Sequence, residues 1–135
     1  MNANELRIGS LISLYRNPQD KEVCIGKIKS IYYSPTVYEC YVAELDDGFV
    51  VNIEKGIKRI TLTEEWLLKF GFAKEDENNF ILHQNNIYFR VHRNLISKEF
   101  MCKLVDNYSF LIKSVHNLQN LYFSITNRVS CPDIG

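Results

Sequence analysis

The feature of the sequence that most constrains the fold is a series of five short runs rich in β-branched and aromatic residues in the amino-terminal half. Turn-forming residues separate the runs, and Asp47-Gly48 is a strong hairpin signal because glycine accepts the positive φ of a tight turn. Runs this short and closely spaced predict antiparallel strands that form a small SH3-like β-barrel or a bent antiparallel sheet. The predicted strands cover residues 11–15, 23–33, 38–45, 49–53 and 57–62.

The next segment carries the clearest helix signals in the chain. Thr63 is a suitable N-cap, and the two glutamates that follow it place negative charge on the first turn. At the other end, Gly71 supplies the left-handed residue of a Schellman motif, and Phe72 can fold back onto the helix. These signals predict a short capped helix over residues 63–70, packed against the first sheet.

An alternation of apolar and polar residues returns in the second half of the chain. Asn85-Asn86 separates two such stretches, which predicts a two-residue β-hairpin. In that register Leu82 pairs with Phe89 and Phe80 pairs with Val91, so one face of the hairpin is apolar. The other face then carries mostly polar and aromatic side chains.

Two further strands and a helix complete the predicted secondary structure. Residues 99–105 and 109–115 continue the β-meander around Asp106-Asn107. A carboxyl-terminal helix is predicted over residues 115–126, with Ser114 as its N-cap. Its apolar side chains recur at spacings of three and four, which marks a face that packs on a core: Val115, Leu118, Tyr122 and Ile125.

Together these elements predict an α+β fold with a small amino-terminal barrel or bent sheet, a short capped helix, a β-meander and a carboxyl-terminal helix. The polar stretch at residues 74–79 predicts a surface loop between two lobes. Residues 1–73 form the β-rich first lobe with the capped helix, and residues 79–135 form the meander with the last helix. A chain of 135 residues buries enough surface for the two lobes to pack as one compact unit.

Charge and hydropathy argue against several classes of function. Sixteen basic residues cancel sixteen acidic ones, whereas proteins that hold nucleic acid mainly through phosphates carry a basic surplus. Apolar runs extend over only a few residues, far short of the ~20 that span a bilayer. The amino terminus also lacks the pattern of a signal peptide. We therefore expect a cytoplasmic protein that does not associate with membranes and for which nucleic acid is a poor candidate partner.

The chain contains no motif for catalysis or for cofactor binding, so we expect neither enzymatic activity nor a cofactor. Its four cysteines lack the spacing of metal ligands or of a disulfide framework, which is typical of reduced, structural thiols. Cys102 and His92 could meet across neighbouring strands as nucleophile and base, but the pattern favours Cys102 as a core residue. His83 and His92 share a face without a third ligand, so no metal site is predicted.

The first candidate binding surface is the polar face of the predicted hairpin, here called the hairpin face: His83, Tyr88, Arg90 and His92. Arginine beside aromatic and imidazole groups can bind a phosphate or stack on a base. The alternative is a sheet face that is simply solvated or covered by a helix.

The second candidate surface is a stripe along the carboxyl-terminal helix, here called the helix stripe: His116, Gln119, Asn120 and Phe123. Its amides could hydrogen-bond buried backbone at the edge of a sheet, which is a structural role. They could instead present a polar stripe with an aromatic anchor to a partner protein.

Three stretches of the chain carry a resemblance to a known family: residues 4–9 (NELRIG), 62–72 (LTEEWLLKFGF) and 115–123 (VHNLQNLYF). They resemble, in the same order, the segments NELRIGN, LTEEWLLKFGF and VHQLQNLYFALTGEEL of small uncharacterised proteins encoded by Bacteroidota phages, prophages and mobile elements. Ser10 and Asn117 depart from that pattern, as do residues 127–129. The resemblance implies a phage or mobile-element origin and a bacterial host cell, but no activity.

These observations predict a non-catalytic accessory protein that binds a host or phage protein, with self-association into a homo-oligomer as one form of that binding. A small-molecule binder that sequesters a nucleotide defence signal is the alternative suggested by the hairpin face. A nucleic-acid accessory protein is a further alternative, because tyrosines and lysines interleave along the second and third predicted strands.

Overall fold

The computed structural model describes residues 3–17, 19–36, 39–84, 87–105 and 108–126. Within these ranges ten strands form two five-stranded antiparallel sheets, accompanied by three α-helices and a short 3-10 helix. The predicted α+β fold is confirmed. No helix in these ranges is long and apolar enough to cross a membrane. The predicted turn residues 85–86 and 106–107, and the chain from residue 127 onward, lie outside the described residues.

Five strands of the amino-terminal half form the first sheet: β1 (Leu11–Leu14), β2 (Cys24–Ser34), β3 (Cys40–Leu45), β4 (Val50–Asn52) and β5 (Ile57–Lys58). They lie in the order β4-β3-β2-β1-β5, and a one-turn helix, α1 (Ile53–Gly56), joins β4 to β5. A β-bulge between Ile28 and Ser30 bends β2. Because the outer strands β4 and β5 do not pair with each other, this part of the structure is a bent open sheet and not a barrel.

Strand β5 is shorter than predicted because the chain leaves the first sheet after two residues. The following segment pairs instead with the start of the last helix. Val115 N–H donates to the Ile60 carbonyl at 2.9 Å, and Leu62 N–H donates to the Lys113 carbonyl at 3.2 Å. This short pairing connects the two halves of the chain through main-chain hydrogen bonds.

The second sheet contains β6 (Ala73–Asp76), β7 (Asn79–Gln84), β8 (Ile87–Arg93), β9 (Phe100–Val105) and β10 (Tyr108–Ile112), in the order β10-β9-β8-β7-β6. The predicted hairpin register is confirmed, with Leu82 opposite Phe89 and Phe80 opposite Val91. The polar stretch that was predicted as a loop contributes the edge strand β6, and all four of its residues are exposed. Charged side chains suit such an edge because they oppose pairing with other chains.

Helix α2 (Glu64–Lys69) has the ends that the sequence predicts. Thr63 Oγ1 accepts a hydrogen bond from Trp66 N–H at 3.4 Å. Gly71 has a φ of +96°, and Phe72 N–H donates to the Leu67 carbonyl at 3.1 Å, which completes a Schellman motif. The capped helix is confirmed at both ends.

The prediction that α2 packs against the first sheet is wrong. Its buried side chains Trp66 and Leu67 lie in the larger hydrophobic core together with Phe80 and Phe89 of the second sheet. Among the described residues, Leu11 alone represents the first sheet in that core. The pairing of residues 60–62 with residues 113–115 places α2 beside the second sheet. Because this contact is non-local, the local sequence pattern does not indicate it.

Strand β1 contributes to both hydrophobic cores, because successive side chains of a strand point to opposite faces. Leu11 lies in the larger core, whereas Ile12 and Leu14 lie in the smaller core together with Ile53 of α1. All four residues of β1 are buried. Burial on both faces makes this short strand the place where the two cores meet.

The carboxyl-terminal helix α3 (Val115–Thr126) has the predicted bounds. Ser114 Oγ accepts a hydrogen bond from Asn117 N–H at 3.3 Å, as expected of an N-cap. The predicted apolar face lies in the larger core through Val115, Leu118 and Tyr122; the side chain of Ile125 lies outside the described part of the chain. Helix α3 also contacts β1, which brings the helix stripe next to the first sheet.

Candidate functional site

The hairpin face lies on the outer side of the second sheet, opposite the larger core. Tyr88, Arg90 and His92 lie on β8, the central strand, and His83 is directly opposite Tyr88 on β7. Tyr88 is 58% exposed, His83 is exposed, and the other two side chains are half-buried. The rings of His83 and Tyr88 meet edge to face, with centroids 6.2 Å apart. Strands β7 and β8 each pair with a neighbour on both sides. The sheet therefore presents this aromatic pair to solvent from strands that are held in place.

Arg90 is held in place by two neighbours. Its Nη2 donates a hydrogen bond to Tyr88 Oη at 3.0 Å, and Glu75 Oε2 of β6 lies 3.6 Å from the same nitrogen. The pKa of Arg90 is raised above its ordinary value. The hydrogen bond with Tyr88 is the largest cause, and the charge of Glu75 adds to it. The guanidinium is thus charged and oriented before any partner binds, which reduces the ordering cost of binding.

The composition of this face suits a protein interface. Tyrosine and arginine are the residue types most enriched among the strongly contributing positions of interfaces. A phosphate group bound to Arg90 would lie beside the Glu75 carboxylate, which opposes a second negative charge. His83 and His92 are separated by the row that contains Arg90, and the described residues contain no group of three His, Cys, Asp or Glu side chains that could hold a metal.

Gln119 of the helix stripe has both ends of its amide bound to backbone of the amino-terminal segment. Its Oε1 accepts from Leu11 N–H at 2.8 Å, and its Nε2 donates to the Gly9 carbonyl at 3.0 Å. Strand β5 reaches only Ser13 and Leu14 of β1, so it does not extend to the Leu11 N–H. Gln119 supplies the missing partner at the edge of the sheet, which is the structural role considered for this residue.

Two further members of the helix stripe contact the same segment. Asn120 Nδ2 donates to the Glu5 carbonyl at 2.8 Å, and the Arg7 guanidinium lies 4.3 Å from the centre of the Phe123 ring. Both Asn120 and Phe123 are half-buried. The stripe thus fastens residues 5–11 to α3, and its use as a partner-binding surface stays a prediction.

His116, the remaining member of the stripe, is fully buried. Its Nδ1 lies 3.3 Å from Ser114 Oγ, and its Nε2 lies 3.7 Å from Glu5 Oε2 without forming a hydrogen bond. Burial lowers the pKa of His116 below 6.5, more strongly than Glu5 raises it, and Arg59 lowers it further. The imidazole is therefore neutral in the folded protein at neutral pH.

This buried histidine predicts a loss of stability in weak acid. Below about pH 6.5 the unfolded chain takes up a proton that folded His116 does not, so the free energy of unfolding falls, by at most about 1.4 kcal/mol per pH unit. Glu5, whose pKa is lowered by Arg59 from an ordinary value of 4.5, adds a loss only in stronger acid. Denaturant titrations between pH 7.5 and 5.5 should show this slope in the wild type and in the exposed-site control His83→Gln. The fall in the free energy of unfolding with pH should be smaller in His116→Gln. An equal fall in that variant would contradict the assignment of this pH dependence to His116.

The structure places Cys102 and His92 on opposite faces of the second sheet. Cys102 is opposite Val91, and His92 is opposite Met101. Cys102 is fully buried, and this burial raises the pKa of its thiol to about 12. The thiol therefore stays protonated and has no histidine base beside it, so this pair does not form a nucleophilic site.

Sequence reasoning missed an apolar tip on the loop between β8 and β9. Leu95 and Ile96 are 69% and 94% exposed. Asn94 Oδ1 accepts from the N–H groups of Ile96 and Ser97, at 2.9 and 3.1 Å, and so orders the tip. The sequence signal that could have indicated this tip is a pair of adjacent aliphatic residues within a stretch of turn-forming residues. The tip follows the end of β8 at Arg93. Along that strand, His92 is the residue of the hairpin face next to the tip.

Comparisons with protein-family models, with curated proteins and with solved structures find no match. The assignment of a function therefore depends on the geometry of the surfaces described above. Of the two predicted surfaces, the helix stripe uses its Gln119 and Asn120 amides in hydrogen bonds to the amino-terminal segment. The hairpin face directs an oriented Arg90 and an exposed Tyr88 to solvent.

Proposed function

We propose that this chain is a non-catalytic accessory protein of a Bacteroidota phage or mobile element, and that it binds a host or phage protein through the hairpin face. The observation that carries the proposal is the pairing of Tyr88 with Arg90 on the central strand of the second sheet. The two side chains are joined by a hydrogen bond of 3.0 Å, and Tyr88 is more than half exposed. Such a pair offers apolar area, a hydroxyl and a fixed positive charge at one place.

The surroundings of the pair also support a macromolecular partner. The hairpin face is a sheet surface, on which side chains stand side by side, and the loop that follows its central strand β8 carries the exposed Leu95 and Ile96. Arg90 already has Glu75 nearby, so a partner that brings uncharged backbone carbonyls, and not a second negative charge, can share the guanidinium. Interfaces with a central aromatic and arginine anchor, surrounded by polar groups, are common among protein complexes.

The experiment that tests the proposal is affinity capture of the tagged chain from a lysate of a Bacteroidota host, before and after phage infection, with quantitative mass spectrometry. We expect one protein to be recovered in near-stoichiometric amount. A bait that recovers no protein would overturn the proposal. Thermal-shift measurements with nucleotides then separate the alternative function, because a sequestered nucleotide would raise the melting temperature of the purified chain.

A further inference from the structure

A short stretch of the chain before β1 lies across α3 and belongs to neither sheet. This stretch, here called the strap, consists of residues 5–8 and ends before Gly9. From Gly9 onward the main chain pairs with β2: Gly9 N–H donates to the Ile28 carbonyl at 2.7 Å, and Ile28 N–H donates to the Ser10 carbonyl at 3.0 Å. Gly9 has a φ of +92°, and glycine accepts large backbone rotations. The strap can therefore turn away at Gly9 while β1 stays in its sheet.

The strap is held in place by one buried side chain and by contacts near the surface. Leu6 is buried in the smaller core. Glu5 Oε2 lies 2.6 Å from Arg59 Nη2, and the two side chains are 36% and 52% exposed. Exposed ion pairs of this kind contribute little to stability. The strap therefore has a modest anchor compared with the strands that follow it.

Two buried polar atoms of α3 face the strap without a hydrogen bond. In the described part of the chain, the buried side-chain nitrogen and oxygen atoms that lack a hydrogen-bond partner are His116 Nε2 and Asn120 Oδ1. The two residues are four positions apart, so they share one face of the helix. His116 Nε2 lies 3.7 Å from Glu5 Oε2, and Asn120 Nδ2 donates to the Glu5 carbonyl at 2.8 Å. Unpaired buried polar atoms cost free energy that is recovered when water reaches them, so this contact favours opening of the strap.

The charges around His116 make the closed strap unfavourable for a protonated ring. Among the described residues, the charged groups that act on the imidazole are Glu5 of the strap and Arg59 of the segment after β5. The Glu5 carboxylate is already bonded to Arg59, and the Arg59 charge opposes a second positive charge beside it. A proton on the fully buried ring would therefore lie in a poorly compensated site. When the strap opens, water can solvate the charged ring.

We propose that the strap is a pH-sensitive lid on α3, and that proton uptake by His116 in weak acid favours a form in which residues 5–8 turn away at Gly9 while both sheets stay folded. The closed strap contacts Asn120 by a hydrogen bond and Phe123 through the Arg7 guanidinium. Opening therefore exposes these two members of the helix stripe, which the strap covers at neutral pH.

Amide hydrogen exchange, measured residue by residue by NMR spectroscopy, tests the proposal. The Arg7 N–H donates to Ser10 Oγ at 2.9 Å, and this bond breaks when the strap turns away from β1. Burial lowers the pKa of His116 in the closed form below 6.5, so the open form binds a proton that the closed form does not. Between pH 6.5 and 5.5 the ratio of open to closed form should rise up to about tenfold. The protection factor of Arg7, corrected for the intrinsic effect of pH, should fall by the same factor.

Urea separates opening of the strap from unfolding of the whole protein. Local opening exposes little surface, so low concentrations of urea should leave the protection factor of Arg7 unchanged. Val91, a fully buried residue of β8, serves as the reference. Its protection factor should fall as urea is added, because its amide exchanges only when the second sheet unfolds.

Two pairs of variants assign the pH dependence to the lid. His116→Gln should remove it, whereas the exposed-site control His83→Gln should keep it. Arg59→Gln should reduce it, because the Glu5 carboxylate can then pair with protonated His116 in the closed form. Arg16→Gln also removes an arginine from a surface ion pair, with no role at the strap, and should behave as the wild type.

An Arg7 protection factor that does not change with pH in the wild type, or that falls equally in His116→Gln, would overturn the proposal. A urea dependence of Arg7 equal to that of Val91 would overturn it as well, since the strap would then open only with the whole protein. If His116→Gln does not fold, the comparison of Arg59→Gln with Arg16→Gln decides. None of these measurements involves the hairpin face, so failure here leaves the proposed function to be judged by capture.

Discussion

Replacing Gln119 with methionine is expected to lower the free energy of unfolding by about 3 kcal/mol, because two buried backbone groups lose their partners at once. Methionine has nearly the same length and volume, so the change removes hydrogen bonds without opening a large cavity. The Leu11 N–H and the Gly9 carbonyl would be left unsatisfied, at a cost of about 1–3 kcal/mol each. Denaturant unfolding, followed by circular dichroism, measures the effect.

A control on the same helix separates this effect from general damage to α3. Ser124 is exposed, and its hydroxyl donates to the Asn120 carbonyl of the same helix. Ser124→Ala should change stability by less than about 0.5 kcal/mol, as is usual for surface substitutions. If Gln119→Met were as mild as Ser124→Ala, the bonds to Leu11 and Gly9 would not fasten the amino-terminal segment.

The expected loss follows from contacts that the sequence could not reveal. Gln119 bonds to residues more than a hundred positions away, and nothing in the local pattern of α3 specifies which backbone groups lie beside it. The pattern did predict the bounds of α3 and its Ser114 cap, because these depend on neighbouring residues. For the amides of the helix stripe, the sequence pattern left two roles open, one structural and one in binding a partner.

The hairpin face was predictable for a different reason. A two-residue turn fixes the register of a hairpin, and the register fixes which side chains share a face. His83, Tyr88, Arg90 and His92 are therefore found together, as predicted. The sequence could not show whether a helix covers this face, nor that Glu75 lies beside Arg90, because the stretch containing Glu75 was predicted as a loop and not as an edge strand.

The positions of α2 and of β5 show the same limit. Capping residues predicted the ends of α2, but its choice of sheet depends on the pairing of Leu62 with Lys113. That pairing also ends β5 after Lys58, although the apolar pattern continues to Leu62. Local patterns thus predicted elements and faces, whereas non-local main-chain bonds decided which faces meet.

Replacing Tyr88 with alanine is expected to weaken partner binding by about 30-fold or more, which corresponds to the roughly 2 kcal/mol typical of a central interface residue. The variant removes the exposed ring and also the hydroxyl that orients Arg90. We expect the loss mainly in the dissociation rate, as is usual for substitutions within an interface. Biolayer interferometry with the purified partner measures both rates.

The first sheet provides a matched control for this substitution. Tyr33 is 53% exposed, compared with 58% for Tyr88, and it also meets a second ring edge to face, that of Tyr41 at 5.4 Å. Tyr33→Ala therefore removes a similar exposed ring from the other sheet. We expect its affinity for the partner to match that of the wild type within about twofold, since it lies outside the interface.

The most direct test of the proposed function is quantitative capture with three baits side by side: the wild type, Tyr88→Ala and Tyr33→Ala. The proposal predicts that one host or phage protein is recovered in near-stoichiometric amount with the wild type and with Tyr33→Ala, and that it is depleted with Tyr88→Ala. Recovery of the same protein in equal amount with Tyr88→Ala, or of no protein with any bait, would contradict binding through the hairpin face.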